Sequence, residues 1–146
     1  MFTTSQEQNL DMERPISSTD QSAAQQQLVL VVDDNEDNLL LLSFLIEQLG
    51  CTIITAADGQ TALDLAQHQT PSLILLDMML PDLDGMEVVH RLRENSLTVN
   101  IPVIAVTAMA RVEDRERILS AGCNEYVSKP YVVDELEVLL RRYLSC

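Results

Sequence analysis

Leu28 to Val32 is an unbroken, Val-rich apolar run that stops at Asp33-Asp34. A strand exposed on one face alternates apolar with polar side chains, so a run without alternation describes a strand covered on both faces. The signature recurs along the chain, with helical spacing between its copies. Asp37 to Leu49 reads as a helix with Gly50 as its stop, and Thr52 to Thr55 as a second strand. Gly59 to His68 reads as a helix with Ala62, Leu63, Leu65 and Ala66 inward, and Leu73 to Leu76 as a third strand ending in Asp77. Gly85 to Glu94 follows as a helix carrying Val88, Val89 and Leu92. Ile101 to Val106 is a fourth strand ending at Thr107, and Val112 to Ala121 a helix stopped by Gly122. Glu125 to Ser128 is a short fifth strand before Lys129-Pro130, and Val132 to Leu144 a last helix with Val133, Leu136, Leu140 and Tyr143 near one stripe.

Strands that alternate with helices in this way need right-handed crossovers and a parallel sheet covered on both faces. The expected fold is therefore α/β, a doubly wound (βα)5 sandwich. In such sheets the loops at the carboxyl ends of the strands gather into one crevice where strand order reverses. That rule collects Asp33-Asp34, Asp77, Thr107 and Lys129 at one edge, from four separate segments.

The remaining composition narrows the classes of function. A chain of 146 residues fits one domain. No apolar stretch reaches the roughly 18 residues of a membrane span. The N-terminus MFTTSQEQNLDMERPISS has acids where a secretion signal has a basic flank. A cytoplasmic protein without membrane insertion is expected. Residues 1–27, rich in Gln, Ser, Thr and Asp and without periodicity, read as a flexible polar tail, and 28–146 as the folded domain. A formal charge of -14 repels nucleic acid, whose backbone binds clustered Lys and Arg. Direct nucleic-acid binding is not expected. Cys51 and Cys123 read as small buried apolar residues and Cys146 as an exposed chain end, because their spacing matches no ligand pattern.

Three carboxylates in one crevice repel each other unless a cation sits among them. Hard oxygen ligands suit Mg2+ (or Mn2+), with Asp33, Asp34 and Asp77 as acids and the carbonyl of Met79 completing the protein's share. Asp77 can then act as a nucleophile toward a phosphoryl group. Thr107 offers a hydroxyl to a phosphoryl oxygen. Lys129, the only lysine in a chain with eight arginines, offers a compact ammonium that pairs with Asp77 before transfer and with phosphoryl oxygens after it. Pro130 favours an extended or turn geometry there and admits a cis bond. Each signal alone is weak, since turns and helix caps are full of Asp. Five such positions at consecutive strand ends are not explained as caps.

The segments LVLVVDDNEDN, LILLDMMLPDLDG, PVIAVTA and EYVSKPY resemble the receiver domain of two-component response regulators, a module also found in hybrid sensor kinases. The resemblance covers about residues 28 to 146. It implies flavodoxin-like topology with strand order 2-1-3-4-5. By that likeness Asp77 is the phosphoacceptor, Asp33 and Asp34 the metal-binding acids, Thr107 the switch hydroxyl and Tyr126 the switch aromatic, while Pro81 and Gly85 shape the loop after the phosphoacceptor. The implied partner is a histidine kinase or histidine phosphotransfer domain. The implied response is a remodelled face of the fourth helix, fifth strand and fifth helix, acting on a downstream protein that the sequence does not identify.

Whether the chain stays a monomer or dimerises on phosphorylation is left open. So is its enzymatic character, which amounts to self-phosphorylation from phosphohistidine and slow autodephosphorylation. A single-domain response regulator is expected because the chain stops after the fifth helix. The alternatives are a phosphotransfer intermediate or phosphate sink, and a receiver module excised from a hybrid kinase. A small-molecule hydrolase using aspartyl chemistry would need a substrate cap that the chain lacks.

Three finer expectations concern surfaces. Met79 and Met109, two residues after Asp77 and Thr107, are apolar and would slow hydrolysis by excluding water. In the first helix, turning Leu41, Leu42, Leu45, Ile46 and Leu49 inward leaves Leu39, Leu40 and Phe44 outward as a landing site for the histidine-bearing partner. His68 and His90 read as surface residues. Arg111, Arg115 and Arg117, interleaved with Glu113, Asp114 and Glu116, read as solvated pairs within one helix.

Overall fold

The computed structural model describes residues 27–108 and 111–144. Its strands are β1 (Leu28–Val32), β2 (Thr52–Ala56), β3 (Leu73–Asp77), β4 (Val103–Thr107) and β5 (Glu125–Ser128). Its helices are α1 (Glu36–Gln48), α2 (Gly59–Gln69), α3 (Gly85–Glu94), α4 (Val112–Ser120) and α5 (Val133–Tyr143). All strands are parallel, in the order β2-β1-β3-β4-β5. The expected doubly wound sandwich is the observed one. The polar tail expected at residues 1–27 lies, except for Gln27, outside the described residues, as do Met109 and Cys146.

The burial pattern accounts for the uninterrupted apolar runs. In the central strands successive side chains alternate between two cores. Leu30, Val32, Ile74, Leu76, Val103 and Ala105 face one side, where Ala62 and Ala66 of α2, Val88, Val89 and Leu92 of α3 and Ile118 of α4 pack. Val29, Val31, Leu73, Leu75 and Ile104 face the other, against Leu42, Leu45 and Ile46 of α1 and Leu136 and Leu140 of α5. Both faces must therefore be apolar. The edge strands β2 and β5 are only half covered, and Thr52, Thr55 and Ser128 are exposed there.

Three expectations need correcting. β4 starts at Val103, later than expected, because the Ile101 amide closes a turn on the carbonyl of Thr98 and Pro102 has no N–H to give to a ladder. In α1, Leu39 is half-buried and packs on the core, while Leu41 is 40% exposed. Leu42, Leu45, Ile46 and Leu49 are buried as expected, so only the edge of the inward stripe moves, from Leu41 to Leu39. In α5, Val133 at the N-terminus is likewise exposed. Gly50 has φ 86, the left-handed conformation of a helix stop. A Cβ on Gly85 would lie 2.6 Å from Cα of Met78, so only glycine lets α3 start so close to the end of β3.

Candidate functional site

β1 and β3 are neighbours, and both end at the same edge of the sheet. That adjacency puts Asp33 and Asp77 side by side, at 1% and 3% exposure. Asp34, which follows Asp33, is exposed. One carboxylate oxygen from each of the three lies within 4.8 Å of the others. Lys129, just past β5, reaches across the sheet end. Its Nζ lies 3.2 Å from Asp77 Oδ2 and 3.4 Å from Asp33 Oδ2.

The buried carboxylates are held by further donors. The amide of Asn35 donates to Asp33 Oδ1 at 2.9 Å, and Asn38 Nδ2 donates to Asp33 Oδ2 at 3.1 Å. The amide of Met79 donates to Asp77 Oδ1 at 2.9 Å. Burial pushes the Asp77 carboxyl above the usual carboxylate range; the Met79 amide and Lys129 pull against this, and the Asp33 charge adds to it. Burial alone would lower Lys129, but the charges of Asp77 and Asp33 outweigh it and hold the ammonium above its ordinary value.

This donor set fits a hard divalent cation. Three carboxylates face one ammonium, so the cluster keeps an excess of negative charge in a largely buried place. Asp34 adds an exposed oxygen on the open side.

Thr107 ends β4 and is fully buried, and its carbonyl accepts from the Lys129 amide at 2.9 Å. This bond ties the lysine to the end of β4. The Lys129-Pro130 peptide is cis. Tyr126 sits apart from the acids, on β5 beside α4, with the Arg115 guanidinium 5.3 Å from its ring centroid. The arginines around α4 read as solvated pairs within one helix. Arg117 does pair with Asp114, at 3.6 Å, but Arg115 stacks on the strand.

The Met79 side chain is 64% exposed and lines an open cavity of about 470 Å³ together with Asp34 and Asp82. Slow hydrolysis was argued from Met79 and Met109 together, and Met109 lies outside the described residues. His68 and His90 are exposed, as expected, His90 pairing with Glu94 at 3.2 Å. Leu40 and Phe44 are 69% and 63% exposed, and Leu41 joins them where Leu39 was expected. Cys123 is buried and free, whereas Cys51 is buried and disulfide-bonded, which corrects its reading as a merely apolar residue.

Several supporting residues escaped the sequence. Asn38 holds Asp33, and its one signal was its place a turn after the Asn35 cap. Asp82 accepts from the amides of Gly59 at 2.7 Å and Gln60 at 3.0 Å, which pins the loop after Asp77 to the start of α2. Arg93 donates to the carbonyls of Ile101 at 2.8 Å and Gly122 at 2.8 Å, which joins the connection that enters β4 to the one that enters β5. The Asp82 contacts and the Arg93–Gly122 contact span 22 to 29 positions. No local pattern announces them.

Residues 29–141 match the family profile described as the response regulator receiver domain. The polar-differentiation response regulator DivK of Brucella anthropi is 44% identical over 101 residues, covering 69% of this chain and 82% of DivK. The probable transcriptional regulatory protein TcrX of Mycobacterium tuberculosis is 40% identical over 104 residues, covering 71% of this chain but 44% of TcrX. The chain thus spans less than half the length of that relative. Among solved structures, the receiver domain of the sensor histidine kinase PA1611 from Pseudomonas aeruginosa, with a magnesium ion in its active-site cleft, superposes with a TM-score of 0.74 at 36% identity, covering 81% of this chain and 97% of that one.

Proposed function

This chain belongs to the response regulator receiver domain family, and we propose that Asp77 is its phosphoacceptor, charged by a phosphohistidine on a histidine kinase or histidine phosphotransfer domain. The observation that carries this reading is the Lys129 bridge: one ammonium within 3.4 Å of both buried carboxylates at the carboxyl edge of the sheet. A carboxylate oxygen of Asp77 forms the new bond to phosphorus as the phosphorus–nitrogen bond of the donor breaks, and the departing imidazole takes up a proton. Lys129 then pairs with the phosphoryl oxygens, and the buried Thr107 hydroxyl donates to them.

Asp33, Asp34, Asp77 and the Met79 carbonyl would hold Mg2+ or Mn2+, which when bound offsets the charge between the carboxylate and an incoming phosphoryl group. The domain is residues 28–146, preceded by a polar segment at 1–27.

Leu40, Leu41 and Phe44 form the landing surface for the histidine-bearing partner. They are large, apolar and exposed on the helix that begins beside the acidic cluster. Thr107 and Tyr126 are the switch pair, linking Asp77 to the face of α4, β5 and α5, which acts on a protein partner. A strongly acidic chain does not itself seek a nucleic-acid backbone.

Incubation with a phosphorylated histidine phosphotransfer domain that labels the wild type tests the assignment. Acid-labile phosphate is expected on the wild type and absent from Asp77→Asn. Equal labelling of the two chains refutes it.

A further inference from the structure

Among the described residues, one buried side-chain polar atom has no hydrogen-bond partner, the hydroxyl of Tyr131. The residue lies two positions beyond Lys129 in the connection from β5 to α5, and its ring packs on the core between the sheet and helices α1 and α5. A phenylalanine ring would fill the same space without the cost of an unmade bond. A phenol in that position therefore has physical sense if an acceptor arrives in another state of the site.

Its surroundings indicate where that acceptor comes from. Tyr131 lines a cavity of about 570 Å³ with Asn38, Leu41, Ala108, Lys129 and Pro130. Two of these, Asn38 and Lys129, contact Asp33 directly. Burial first, and then the charges of Asp33 and Asp77, push the phenol above its ordinary range, so it stays protonated and serves as a donor.

The carboxylate oxygens already have donors. Asp33 Oδ1 takes the Asn35 amide, and Asp33 Oδ2 takes Asn38 and Lys129. Asp77 Oδ1 takes the Met79 amide, and Asp77 Oδ2 takes Lys129. A phosphoryl group on Asp77 would add three strong acceptor oxygens to this balanced set. Lys129 and the Thr107 hydroxyl do not fill that capacity.

We propose that Tyr131 is a further donor of the phosphoacceptor site, its hydroxyl unpaired while Asp77 is free and bonded to a phosphoryl oxygen once Asp77 is modified. The proposal rests on Asp77 being the phosphoacceptor. Lys129 and Tyr131 share one short connection, so the shift that turns the ammonium toward the phosphoryl oxygens carries the phenol with it.

The test uses Tyr131→Phe in the full chain, with beryllofluoride and Mg2+ as the phosphoryl mimic. Affinity for the mimic is read by calorimetry, and the thermal melt of the free protein is read beside it. The substitution is expected to weaken the mimic roughly tenfold to 100-fold, the loss of about one hydrogen bond to a charged acceptor. The free protein should melt at the same temperature or higher, because an unpaired buried hydroxyl has been removed. A purely structural hydroxyl would instead lower the melt and leave affinity alone. Unchanged mimic affinity, or equal weakening of Mg2+ binding without beryllofluoride, overturns the proposal. Asp77→Asn separates the two readings: if that variant still binds the mimic as the wild type does, the phosphoacceptor assignment fails, whatever Tyr131→Phe shows.

Discussion

The two halves of the sheet are secured differently. On the side of β2, β1 and β3, all three helices open on a side-chain cap, Asn35 for α1, Asp58 for α2 and Asp84 for α3. On the side of β4 and β5, α4 and α5 follow Arg111 and Val132, and neither gives a side-chain cap bond. Burial does not follow that division: β1, β3 and β4 are covered almost throughout, whereas the edge strands β2 and β5 are only half covered. The acids and their immediate donors Asn35, Asn38 and Met79 belong to the secured half. Lys129, Tyr126 and Tyr131 belong to the other. A site divided this way has a fixed anchor and a face whose local opening costs less, the property a switch surface needs.

The largest expected effect concerns input to the secured half. Glutamates at Leu40 and Phe44 should cut transfer from a phosphorylated histidine photransfer partner by about 100-fold or more, as truncating or charging an interface anchor does, while acetyl phosphate labels Asp77 at the wild-type rate. Equal labelling by the protein donor would move the docking surface off α1.

Next comes the buried charge. Asp77 has its carboxyl raised in the folded state, so its ionised form costs stability at neutral pH, and that cost is relieved as pH falls through the raised value toward the ordinary one. Without divalent cation, Asp77→Asn should therefore raise the melting temperature at neutral pH, with the advantage shrinking in acid. A variant that melts lower at neutral pH contradicts that sign.

Smaller changes test the caps. Asn35→Ala, which removes the bond to the Asn38 amide at 3.0 Å, should cost about 1 kcal/mol in denaturant unfolding. Val132→Asp, which offers α5 the cap it lacks, should add up to about 1 kcal/mol. If the second gains nothing, the unsecured half is not limited by its helix ends.

The fold was legible in the sequence because parallel strands buried on both faces leave continuous apolar runs, as Leu73–Leu76 and Val103–Val106 do. The acids and Lys129 were legible for a related reason, since a doubly wound sheet gathers its strand ends by topology alone. What remained hidden depended on rotation and on distance. The outward turn of Leu41 follows from where side chains of one helix lean, which a tally of apolar positions does not fix. Asp82 at the start of α2 and Arg93 at the carbonyl of Gly122 join segments more than 20 positions apart. The unpaired hydroxyl of Tyr131 shows only once its neighbours are in place.

Hydrogen exchange before and after modification of Asp77, read peptide by peptide, tests the division most directly. Protection is predicted to change over 111–144, in α4, β5 and α5, and to hold over β1, α1, β2 and α2, with no change anywhere in Asp77→Asn. A response spread evenly over both halves, or one that persists in Asp77→Asn, would contradict the account.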